Sequence, residues 1–131
     1  MANRAKFISP PIAYAAIILF LSSLNQTIVA EYSYGVADFI LHATEYHLFG
    51  VTLIWAIYRD KPAHELKTSF SLAVGVGTGM AVLDEFYQSF IPTRYSTIED
   101  VVADVFGLVL SIITFKLLMK IHFLENFRTG A

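Results

Sequence analysis

Four long apolar runs carry charges of opposite sign at their opposite ends. Of the nine Lys and Arg residues, only Arg94 falls outside the amino terminus, the middle connection and the carboxyl terminus. Eight of the eleven acids (Glu31, Asp38, Glu45, Asp84, Glu85, Glu99, Asp100 and Asp104) lie in or beside the other two connections. Basic residues next to short-looped spans stay in the cytoplasm. The chain is therefore expected to be all-α: a polytopic membrane protein built as a four-transmembrane-helix bundle, both termini cytoplasmic. Its unusual polar residues would gather at the extracytoplasmic side.

The expected spans are residues 8–29, 36–58, 66–90 and 98–119, each of about the 20 residues that a bilayer core requires. Together they occupy the chain as one compact domain, and 56% hydrophobic against 15% charged residues excludes an average soluble composition. Residues 7–30 hold no charge and follow Arg4 and Lys6, with Pro10 and Pro11 suited to a helix start. That run is too long for a signal-peptide core and is read as a retained span. The absence of cysteine rules out disulfides, thiolate metal ligands and cysteine nucleophiles.

Helical spacing sorts the polar residues within the spans. Asp38, His42 and Glu45 are four and three apart and share a stripe of the second helix. Asp84 and Gln88 share one on the third, with Glu85 about a quarter-turn away. Asp100 and Asp104 share one on the fourth, continued inward by Gly107 and Ser111. Ser22, Ser23, Asn25 and Gln26 end the first run. All these sets fall at one end of an alternating bundle, with Glu45 ~10 Å deeper than Asp38. His47 faces elsewhere and reads as a packing residue. Tyr32, Tyr34, Tyr58, Tyr87 and Tyr95 sit near span ends, as an interfacial belt would. Gly75 with Gly79, and Gly107 with Ser111, form small-xxx-small pairs that let backbones approach. Packing inside the bundle is the expected use of both, and a homodimer face is the alternative.

Six acids at one end (Asp38, Glu45, Asp84, Glu85, Asp100 and Asp104) face Arg94 as the one fixed cation and His42 as a conditional one. In a poorly solvated setting they cannot all be ionised without a partner. Either several hold protons, or the site binds a cation, or it binds a cationic ligand group. A hydrogen-bonded plug holding the helices in register is the bland explanation. Arg94 is expected to clasp at least one of Asp84, Glu85, Asp100 or Asp104.

The stretch from Leu83 through Asp84, Glu85, Phe86, Tyr87, Gln88, Ser89, Phe90, Ile91, Pro92 and Thr93 to Arg94, followed by Asp100, Asp104 and Gly107, resembles the signature of VanZ-like membrane proteins. Asp38, His42, Glu45, Tyr46 and Gly50 resemble that family's second-span segment, and Ser22-Ser23 the end of its first. Tyr87 stands where the family often has His. The resemblance implies a bacterial inner-membrane protein, linked through the founding member to low-level teicoplanin resistance. The expected partner is a membrane lipid, a lipid-linked envelope intermediate or a lipoglycopeptide, and not nucleic acid. Within that frame His42, Glu45, Asp84 and Glu85 are candidate catalytic groups, and Arg94, Gln88, Asp38 and Tyr46 candidate substrate-binding groups. Asp84, Glu85, Asp100 and Asp104 are candidate ligands for a divalent cation such as Mg²⁺, Mn²⁺ or Ca²⁺. The alternative is a non-catalytic protein that binds or excludes envelope-active amphiphiles, with the polar cluster as a plug.

Overall fold

The structure, a computed structural model, describes residues 2–24, 35–60, 66–92, 94 and 96–121, with side chains from Lys6 onward and that of Asp60 excepted. Asn25, Gln26, Glu31, Tyr32, Tyr34, Lys61, Thr93, Tyr95 and Arg128 lie outside the described residues. Four helices follow one another: α1 (Ala2–Ser23), α2 (Val36–Asp60), α3 (Leu66–Gln88) and α4 (Ile98–Lys120). Each is long and apolar enough to cross a membrane.

Helix ends follow local chemistry. Gly35, at φ 72°, turns the chain into α2, and its carbonyl accepts from the Phe39 amide at 3.1 Å. At the end of α3 the Phe90 and Ile91 amides donate to the Tyr87 and Gln88 carbonyls at 3.1 and 2.9 Å. These tight turns, with Pro92 beyond them, stop α3 at Gln88, two residues before the expected end. Thr97 caps α4 from extended backbone, its hydroxyl accepting from the Asp100 amide at 3.3 Å.

The first helix departs from expectation. Pro10 and Pro11 do not open it but lie inside it, two turns after Ala2. Proline cannot donate to the carbonyl four residues back, yet such prolines are tolerated in transmembrane helices, where local adjustment restores the backbone bonding. Ser23, whose hydroxyl donates to the Phe20 carbonyl at 2.6 Å, ends the helix earlier than the expected residue 29.

The bundle is centred on α2, the most buried helix, which packs against α1, α3 and α4. Its closest approach is to α4. A Cβ on Gly107 would strike the Ala43 carbonyl, and one on Gly50 would strike the Ser111 hydroxyl. On α3, Gly77 receives the Leu108 side chain. Gly75 and Gly79 point outward with nothing near them, which corrects the expectation that this pair packs inside the bundle.

The core joins Ile18, Tyr46, Phe49, Leu53, Ile54, Tyr58, Phe70, Ala73, Ala81, Leu108 and Phe115. Exposed Ile12, Phe20, Ile40, Val76, Leu83, Phe106 and Ile113 form the outer, lipid-compatible surface. At the basic end the Arg59 guanidinium lies 5.1 Å over the Phe7 ring and the Lys116 amine 5.5 Å over Phe70. The other end holds the acids.

Candidate functional site

Three helices and one connection build the acidic end. His42 Nδ1 on α2 lies 3.0 Å from Asp104 Oδ1 on α4, both buried, and among the described residues this is the one ion-pair geometry. On α3, Gln88 Nε2 donates to Asp84 Oδ2 one turn back at 3.0 Å and to Ser22 Oγ of α1 at 3.3 Å. The i, i+4 stripe read from sequence thus becomes a bonded pair that also reaches the first helix. Glu85 Oε2 accepts from the Thr97 amide at 3.1 Å, while the Thr97 hydroxyl donates to Asp100 Oδ2 at 2.8 Å. Thr97 therefore ties α3 to the start of α4, a role that sequence reading missed. A Thr before an apolar run with acids two and three residues later was the available signal.

Arg94 corrects an expectation. It forms no ion pair with a carboxylate of the described residues. Its Nη1 donates to Gln88 Oε1 at 3.2 Å and its Nη2 to the Leu21 carbonyl at 2.9 Å. The physical reason is the early end of α1, which brings the Leu21 carbonyl, accepting also from the Leu24 amide at 3.1 Å, to the negative end of the helix dipole. Arginine answers both needs with one planar fork.

Several buried polar atoms have no partner among the described residues: Glu45 Oε1, Tyr46 Oη, Asp84 Oδ1, Glu85 Oε1, Asp104 Oδ2 and Arg94 Nε. A burial this deep leaves an unpaired polar atom costly. His47 lies apart, its Nε2 3.2 Å from Thr114 Oγ1.

Between α1 and α2 opens a cavity of about 360 Å³. Tyr14, Leu21, Leu41 and Leu48 give it apolar walls, and Asp38, His42, Thr44, Glu45 and Arg94 its polar ones. Sequence reading found the second set, Thr44 excepted, and not the first. Leu41, Thr44 and Leu48 keep the same three-to-four spacing one position beside the polar stripe, but leucines in an apolar span carry no mark that tells a cavity wall from a lipid-facing surface. Of the sequence-derived candidates, Asp38, His42, Glu45 and Arg94 line this cavity. Gln88 braces Arg94 from behind, and Asp84, Glu85, Asp100 and Asp104 are buried in the adjoining helices.

The sequence model of the VanZ/LLP1 family matches residues 11–119. The chain belongs to the VanZ/LLP1 family. No curated protein and no solved structure matches it. The family match runs from inside α1 to the last turn of α4, so this VanZ/LLP1 protein carries its cavity, its Arg94 bridge and its buried acids all within the matched region. Four apolar helices and this membership make it a multi-pass membrane protein of VanZ-like type.

Proposed function

We propose that this VanZ/LLP1 protein holds the ionic headgroup of a membrane amphiphile, a lipid or lipid-linked envelope intermediate, in the cavity between α1 and α2. The carrying observation is the lining of that cavity. Arg94 offers a positive group, His42 an imidazole, and Asp38 and Glu45 carboxyl groups, while Leu21, Leu41 and Leu48, all exposed, lead outward as a path for an acyl or prenyl chain. Pockets for such ligands combine apolar walls with a few convergent polar groups. The basic-residue distribution supports an orientation with this end facing the outer leaflet of a bacterial inner membrane and both termini in the cytoplasm. Resistance to teicoplanin fits as competition for, or modification of, an envelope lipid at that leaflet.

A structural plug is favoured by the Ser22–Gln88–Asp84 chain and by the Thr97 tie, which do hold helices together. It does not account for the unpartnered oxygens of Glu45, Asp84, Glu85 and Asp104, which a plug would bond. The test is native mass spectrometry of protein extracted with its lipids. Wild type is expected to retain a phosphate-bearing lipid that Leu48→Trp, filling the cavity, and Arg94→Gln both displace. Unchanged retention by both folded variants would discard the reading. Release of inorganic phosphate from the retained lipid would mark an enzyme, and its recovery intact a binding protein.

A further inference from the structure

Two sets of side chains at this end bring one ligand atom each within 4.8 Å of one another: Asp38, His42 and Asp100, and His42, Glu85 and Asp104. They share His42 and differ in what their carboxylates already do. In the first set Asp38 is only half-buried, and an Asp100 oxygen is taken by the Thr97 hydroxyl at 2.8 Å. In the second, all three residues are buried, with Asp104 0% and Glu85 5% exposed. There each carboxylate is anchored through one oxygen and unpartnered at the other. Glu85 Oε2 is held by the Thr97 amide and Asp104 Oδ1 by His42, while Glu85 Oε1 and Asp104 Oδ2 have no partner among the described residues.

We propose that His42, Glu85 and Asp104 form a divalent metal site. The three groups converge from α2, α3 and α4, so the fold and not a local loop sets their spacing. A divalent ion would neutralise two carboxylates and give their free oxygens the partner that burial demands. Thr97 acts as the outer-shell group that orients Glu85, the arrangement that makes a ligand effective. One imidazole nitrogen with carboxylate oxygens suits Mn²⁺, Fe²⁺ or Zn²⁺ better than Mg²⁺ or Ca²⁺, which take oxygen sets. His42 also lines the cavity, so the ion lies at its inner wall. That it meets a lipid phosphate there rests on the reading above; that it binds does not.

Chelator-stripped protein in detergent would be titrated with Mn²⁺ and followed by electron paramagnetic resonance. Wild type is expected to bind a single Mn²⁺ saturably and to show nitrogen modulation in the electron spin echo. His42→Gln should abolish that modulation. Glu85→Gln and Asp104→Asn should weaken binding by about tenfold or more, and each by more than Asp38→Asn does. Far-UV circular dichroism of the metal-free variants checks that they are folded. The proposal is overturned if folded wild type binds no Mn²⁺ saturably, or if modulation survives in His42→Gln. It is equally overturned if Asp38→Asn loses binding while Glu85→Gln keeps it. Failure here with cavity-dependent lipid retention intact removes the metal alone. Metal binding with retention indifferent to Leu48→Trp removes the headgroup reading instead.

Discussion

Arg94 stands where three segments meet, and its bonds explain why a lone cation sits among acids. It joins Gln88 at the end of α3 to the Leu21 carbonyl near the end of α1, so its first effect is to hold α1 against the bundle. Arg94→Ala should lower stability by about 1–2 kcal/mol, since it removes two charge-assisted bonds from a partly exposed group. Arg94→Lys should lose less, because an ammonium keeps one bond but not the fork. Thermal melting of purified protein orders the three, and an Arg94→Ala protein melting with wild type would show the bridge to be idle. Sequence identified this residue by its sign and misplaced its partner. A backbone carbonyl at a helix end has no signature in side-chain order, whereas the nearby acids were conspicuous.

At the scale of elements, the two glycine pairs part company. Gly107 lies against the backbone of α2 and Gly79 against nothing. Gly107→Ala should destabilise by about 1–3 kcal/mol, the usual cost of overpacking where the obstacle is backbone and cannot swing aside. Gly79→Ala should be neutral or stabilising by up to about 1 kcal/mol through helix propensity. Denaturation in one detergent compares them, and a Gly79→Ala loss matching that of Gly107→Ala would contradict the packing. The spacing alone could not separate them. In a soluble helix the polar face marks the outside, but here both faces are apolar and the small-residue pattern fits either. The polar stripes were legible for the opposite reason: among apolar residues, Asp38, His42 and Glu45 could point only toward partners or a cavity.

For the whole molecule, the number and places of the spans were legible from charge and length, because the bilayer admits few solutions. The end of α1 was less so, since residues 24–30 continue uncharged past the serine that stops the helix. Neither could sequence show that His42 and Asp104 meet. They are 62 residues apart, and spacing along one helix says nothing of which residue of another helix it meets. Orientation is open to direct measurement, helped by the absence of native cysteine. Single cysteines at Tyr32 and Thr93 should react with an impermeant thiol reagent in intact cells, and one at Ala63 should not. Labelling at Ala63 with sealed-membrane controls would reverse the topology. The way α1 is attached has a last implication. His42, Glu85 and Asp104 belong to α2, α3 and α4, whereas α1 supplies only one wall of the cavity and is fastened at its end by Arg94 and by Ser22 to Gln88. The division of labour is thus uneven: a substitution that loosens α1 should reshape the cavity while leaving the distances among His42, Glu85 and Asp104 as they are.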